Sequence, residues 1–317
     1  MRSKFKYGDF GVGEQSWLDS FQSDYPDTPF DWGSSGIAAT PVHAALTGTT
    51  AAATASSTDL AAAARPGGGL LTTYISGDPT VDNSQEFNIQ INFSGRWTAQ
   101  QQAIVTWAAD FWSQIITADV RDDTDLNGNF IDDIVIDVST GRVDGRGNPL
   151  TGNVLALTEV SAIRDPGSVQ QWLPVTASIK LDSTDLKNAV WSGTWDTILV
   201  HEMAHALGFL GPVFGALGLT DGSGHFIGTQ AVAAYGGPVP LEASGGTLTA
   251  GSHWDEETFQ TDGAVLRNEL MTGSITPDEQ TYLSDTTVGA LADLGYVVTD
   301  PAVGSSTFLV DSQLLMV

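Results

Sequence analysis

The segment Thr197-Ile-Leu-Val-His-Glu-Met-Ala-His-Ala-Leu-Gly-Phe209 sets His201 and His205 four residues apart, with Glu202 between them. Residues four apart on an α-helix differ by about 40° around its axis. On a helix, therefore, both imidazoles project from one face and reach a single metal ion. Glu202 then stands beside the metal rather than on it, where its carboxylate is placed to act as general base toward a metal-activated water. Solvated helix histidines would show the same spacing, but the apolar flanks on both sides describe a buried helix. Gly208 follows, and a glycine there lets the chain leave the helix with positive φ and turn sharply.

The chain contains no cysteine, so any metal must be held by His, Asp, Glu or carbonyl oxygen. Catalytic zinc takes three protein ligands and keeps a position for water. A compact His-Glu-x-x-His-x-x-Gly-x-x-His arrangement would place the third histidine six residues after His205, where this sequence has Gly211. His43, His225 and His253 remain. His225 sits in Asp221-Gly-Ser-Gly-His225 and His253 in Gly251-Ser-His-Trp254; both segments read as loops, and on residues alone either folds back to the metal.

Three stretches together, His201 to Phe209, Gly251 to Trp254 and Asn268-Glu-Leu-Met271, resemble the leishmanolysin-like metallopeptidases, a branch of the metzincins in which a long insertion precedes the third histidine. The likeness continues into Ser284 to Tyr296, which is similar to the family's closing helix, and covers roughly residues 86–298. The resemblance implies a secreted zinc endopeptidase with His253 as third ligand and Met271 in the turn beneath the metal. Its fold would be α+β: a two-lobed catalytic domain with a mixed, mostly parallel sheet, backing helices and an active-site helix, then an irregular second lobe ending in a helix. Departures are visible too. The chain lacks the family's disulfides and propeptide cysteine, so an inhibitory leader would have to act through another group, such as a carboxylate or His43. The long interval from His253 to Met271 makes an extra loop of Asp255 to Arg267. Where some metzincins carry a tyrosine two residues after the turn methionine, this chain has Gly273, so no oxyanion side chain is identified.

A second cluster reads as a cation loop. Asp122-Asp-Thr-Asp-Leu-Asn-Gly-Asn-Phe-Ile-Asp-Asp133 places oxygen side chains at Asp123, Asp125, Asn127 and Asn129 around Gly128, with Asp132 or Asp133 to close the shell. That is the opening of a calcium loop whose template fails at its last position, Ile134. The cofactors expected are thus catalytic zinc and structural calcium; a solvated acidic loop is the alternative to the latter.

The elements that must position these residues follow from hydrophobic period. Phe87, Ile89, Ile91 and Phe93 alternate as one face of a strand. Thr98 is the N-cap of a helix to about Thr117, with Ile104, Trp107, Ala108, Phe111, Trp112 and Ile115 on its apolar face. Ile134–Val138, Val154–Ile163 and Ala177–Leu181 read as strands, the last at a sheet edge because Pro174 precedes it. Helices are expected from about Gly193 to Gly208 and from Ser284 to Leu294, with mostly loop between them. Residues 1–80 read as a leader with an Ala/Thr/Ser/Gly-rich linker, including a short helix at Ala51–Ala64. Catalytic subdomains span 81–210 and 211–300, and 301–317 is a tail that doubles as a secretion signal or a last strand.

A formal charge of −26, from 38 acidic and 12 basic residues, disfavours nucleic acid and anionic membranes as partners. The expected partner is a protein or peptide substrate, the expected state a monomer without a membrane span, and the expected location extracellular by a route without an N-terminal Sec signal. Two other functions compete with the general endopeptidase: a self-processing protease of narrow specificity, and a non-catalytic calcium-stabilised adhesion module. The intact Glu202 argues against the module.

Overall fold

The computed structural model describes residues 69–143, 154–186, 195–243, 249–255, 268–273 and 281–299, with the backbone of three further strand segments at 260–261, 264–265 and 308–309. The expected helix at Ala51–Ala64, His43, most of the leader, most of the extra loop and most of the tail lie outside the described residues.

Strand β1 (Thr73–Ile75) pairs antiparallel with β2 (Ile89–Ser94), so the sheet begins inside the segment assigned above to the leader. Helix α1 (Ala99–Ile115) starts at Thr98, whose side chain accepts the Gln101 amide while the Gln101 side chain returns to the Thr98 amide; this reciprocal box satisfies two otherwise unpaired donors. A small antiparallel pair, β3 (Asp123–Thr124) and β4 (Phe130–Ile131), precedes β5 (Ile134–Gly141), β6 (Ala156–Ile163) and β7 (Pro174–Asp182). Metal-motif helix α2 (Trp195–Ala206) follows, then the short helix α3 (Gly211–Ala216), β8 (His225–Phe226), α4 (Thr229–Tyr235) and β9 (Val239–Pro240). The last elements are β10 (Gln260–Thr261), β11 (Ala264–Val265), β12 (Tyr282–Leu283), α5 (Asp285–Leu294) and β13 (Phe308–Leu309).

The main sheet has the order β1-β2-β5-β7-β6. Its central pairs β2–β5 and β5–β7 are parallel, and its outer pairs β1–β2 and β6–β7 antiparallel. The architecture is α+β with a mixed sheet, and the expected parallel character holds for the centre alone. The edge position expected for Ala177–Leu181 is corrected: β7 lies inside the sheet, between β5 and β6. Pro174 is the first residue of that strand, where its missing N–H removes little from the ladder. Two helices, α3 and α4, occupy the stretch expected to be mostly loop; six and seven residues long, they are too short to show a helical period.

One continuous core joins the sheet, α1, α2 and α5. Phe87, Ile89 and Ile91 are buried as their alternation predicts, and Ile104, Ala108, Trp112 and Ile115 fill the inner face of α1. Trp107 and Phe111 are only partly buried on its flank. The Trp112 indole N–H donates to the Val200 carbonyl at 2.9 Å, which fixes α1 against the metal-motif helix. Gly208 has φ +99°, as its place after the helix predicts. A Cβ there would meet the Pro174 ring at 3.1 Å. Although Trp195–Ala216 is apolar and long enough to cross a membrane by composition, it is broken after Ala206 and its apolar faces serve the core.

Candidate metal centre

Helix α2 presents His201 and His205 on one face, one turn apart, both buried. The third imidazole is that of His253. Its Nε2 lies 3.2 Å from His201 Nε2 and 3.1 Å from His205 Nε2, and the two helix nitrogens are 3.0 Å apart. Three nitrogens thus form a nearly equilateral triangle, the one group of potential ligands that converges among the described residues. His225 is not part of it: this residue, the competing ligand in the sequence, pairs with Asp221 at 3.0 Å on the hairpin loop.

The other ring nitrogen of each histidine is equally defined. His201 Nδ1 is 2.7 Å from the Leu270 carbonyl, His205 Nδ1 2.7 Å from the Phe209 carbonyl, and His253 Nδ1 3.0 Å from the Thr249 carbonyl. A carbonyl only accepts, so each Nδ1 carries the proton and each Nε2 keeps a lone pair. Burial also holds His201 near a pKa of about 3 and His253 near about 4, and places His205 well below the ordinary imidazole range. Three neutral acceptors therefore face one another with no donor between them. That arrangement is repulsive by itself and becomes favourable around a cation. Tetrahedral zinc with Zn–N bonds of about 2.0–2.1 Å sets its nitrogens roughly 3.3–3.4 Å apart, so the triangle fits zinc after a shift of a few tenths of an ångström.

His253 reaches the helix because its neighbours are anchored. Trp254 is fully buried and meets Phe209 and Phe226 edge to face at centroid distances of 5.0 and 5.6 Å, and Phe214 joins the same cluster. Such T-shaped pairs suit the aromatic quadrupole. The backbone is held on both sides: Glu242 N donates to the His253 carbonyl and Trp254 N to the Met271 carbonyl, each at 2.9 Å. Gly211, where a close third histidine was absent from the sequence, supports the loop instead. Its amide donates to Ser252 Oγ at 2.9 Å.

Met271 is fully buried in the segment that supplies the Leu270 carbonyl to His201. Glu202 is half-buried beside the histidines in sequence, and the Thr158 hydroxyl of β6 donates to its Oε2. Burial raises its pKa to about 7, with the Thr158 hydrogen bond acting in the opposite direction. Thr158, Glu269 and the three carbonyl partners were not singled out in the sequence. The one local signal for Glu269 was its place beside Leu270 and Met271 in the Asn268-Glu-Leu-Met271 stretch; carbonyls have none, because every residue has one.

The acidic loop behaves differently. Asp125 accepts from the amides of Asn127 and Asn129 and from the Asn129 side chain. Asp123 pairs with Arg121 at 2.7 Å, and Asp133 turns inward to accept from Asn88 N and Val120 N. Asn127 and Asn129 thus brace the turn around Gly128, while burial, then a hydrogen bond with Asp122 and the nearby charges of Asp122 and Asp119, raise the pKa of Asp132 to about 6.

No family model matches this sequence, and no curated protein does. The class is therefore defined by the site: a mixed-sheet α+β protein with a buried three-histidine cluster suited to a metal ion.

Proposed function

We propose that this protein is a zinc-dependent endopeptidase of the leishmanolysin-like kind, with His201, His205 and His253 as ligands, Glu202 as general base and a protein or peptide as substrate. The observation that carries the reading is the set of three Nε2 lone pairs aimed at one point, each fixed by a carbonyl on the opposite ring nitrogen. A bound zinc ion would supply Lewis acidity and lower the pKa of a coordinated water. The chain's own part is to keep the imidazoles neutral and oriented and to hold a carboxylate next to them. Glu202 accepts a proton at its carboxylate and returns it to the leaving amine, and the Thr158 hydroxyl holds that carboxylate by its Oε2. His-Glu-x-x-His followed by Gly208, a distant His253 and buried Met271 supports the peptidase over other zinc hydrolases by resemblance.

A structural calcium ion at Asp122 to Asp133 belongs to the same proposal, supported by the crowding of Asp119, Asp122 and Asp132. Secretion and a monomeric state are part of it as well. The self-processing alternative differs in substrate alone, and the adhesion-module alternative predicts no hydrolysis.

The test is zinc analysis of the purified protein joined to digestion of casein and a peptide library. Cleavage that a chelator stops and zinc restores is expected. A zinc-loaded protein inert toward every substrate, its own leader included, would return the function to a binding module.

A further inference from the structure

Glu269 is 1% exposed, and it is neither a ligand nor the general base of the metal centre. Its carboxylate is surrounded by donors: Met271 N at 2.6 Å on Oε2, and Ser284 N at 3.1 Å, Ser284 Oγ at 2.8 Å and the Thr287 hydroxyl on Oε1. Burial pushes its pKa up while these four contacts pull it down. The same Thr287 oxygen accepts the Trp254 indole N–H at 2.8 Å. Glu269's own carbonyl takes the Thr272 amide and hydroxyl, closing the turn around Met271.

Two chains of contacts leave this carboxylate, and both end on the metal centre. Through the Met271 amide it fixes the turn that presents the Leu270 carbonyl to His201 Nδ1. Through Thr287 and the Trp254 indole it fixes the residue after His253, whose amide is bonded to the Met271 carbonyl. His205 depends on neither chain, since its partner is the Phe209 carbonyl just past its own helix. We propose that Glu269 is a positioning residue of the metal centre, holding His201 and His253 at the separation and orientation that the ion requires by joining the Met271 turn to helix α5.

The chemistry of the donors makes a carboxylate specific here. The Met271 and Ser284 amides bring hydrogens to opposite oxygens and cannot be reversed. Glutamine at 269 would keep the shape yet set its NH2 against one of those amides. Thr287 donates to Glu269 and accepts from Trp254, so its hydroxyl direction is also determined. Loss of the supporting partner of a metal-bound histidine commonly costs roughly 10–100-fold in metal affinity.

The inference rests on the three-histidine metal site and is independent of peptidase activity, so its test reads metal binding directly. Wild type, Glu269→Gln, Thr287→Val and Arg164→Lys are stripped of metal and titrated with zinc against a competing chelator, and with cobalt(II) for its d–d bands. Glu269→Gln is expected to weaken zinc roughly 10–100-fold and shift the cobalt bands, with Thr287→Val doing the same to a smaller degree. Arg164→Lys, destabilised away from the site, serves as the control and is expected to keep both readouts. Should Glu269→Gln not fold, Thr287→Val carries the test. Wild-type affinity and an unchanged cobalt spectrum in the folded variants, with only the melting temperature lowered, overturns the positioning role. A wild-type protein that binds no zinc overturns the metal site and this inference together.

Discussion

Gly211 lies so close to Gly251 that a Cβ on it would stand 2.9 Å from the Gly251 carbonyl oxygen. The place of a close third ligand is thus taken by the loop that carries the remote one. The position six residues after His205 is the wall against which the loop bearing His253 rests, and its amide holds Ser252. A side chain there pushes His253 away from the other two imidazoles.

Gly211→Ala is accordingly expected to weaken zinc binding by about tenfold or more and to lower the melting temperature, because both close atoms belong to backbone and cannot swing aside. Chelator competition and calorimetry on the purified variant check this. Zinc affinity equal to wild type would show that the loop yields without moving His253.

Replacing His253 with Ala should remove stoichiometric zinc, with a loss exceeding the roughly 10–100-fold typical of a ligand's supporting partner. His225→Ala should leave zinc content unchanged, since that ring is engaged with Asp221 on its hairpin. Metal analysis after dialysis separates the two.

Glu202→Gln should retain zinc while hydrolysis falls by roughly 10²–10⁴-fold, the usual contribution of a positioned acid–base group. Thr158→Val should lower turnover more than substrate affinity, and Thr158→Ser should restore it, because serine keeps the hydroxyl that Glu202 Oε2 accepts. Steady-state kinetics on a fluorogenic peptide give the comparison. Full turnover in Glu202→Gln would remove that residue from the reaction.

Arg164 is almost fully buried, and all three of its guanidinium nitrogens donate to backbone carbonyls, those of Arg121, Pro174 and Asp133, at 2.9, 2.6 and 2.7 Å. Arg164→Met leaves these acceptors unpaired and is expected to cost about 3 kcal/mol or more. Arg164→Lys should recover only part, since one ammonium cannot span a planar fork. Urea denaturation measures both.

The pKa of Asp133 is raised to about 8 and that of Asp132 to about 6, in each case chiefly by burial, with neighbouring aspartates adding to it. Both carboxyls therefore bind more protons in the folded than in the unfolded chain up to their raised pKa values, whereas the three buried histidines bind fewer below about pH 6.5; from pH 7 to pH 8 the Asp133 carboxyl dominates and stability declines as pH rises. In calcium-free buffer the melting temperature should drop by about 2 °C from pH 7 to pH 8. Calcium should reduce that drop if it occupies the loop. A melting temperature that climbs across this range would contradict the assignment.

Local chemistry made much of this protein readable. The four-residue interval from His201 to His205 and the glycine after the helix are properties of a single element, as are the Thr98 cap and the alternation from Phe87 to Ile91, so sequence alone determined them. Partner choice across the sheet was different: Pro174 spoke for an edge, yet β7 is interior, because the first residue of a strand has no need of its N–H. The choice of His253 over His225 was also beyond any spacing rule, since both sit in loops. Tertiary structure decided it through Trp254 packing among phenylalanines, the Gly211 wall and the Glu269 carboxylate. These are contacts between segments far apart in the chain, made by backbone carbonyls and close approaches that residue type does not encode.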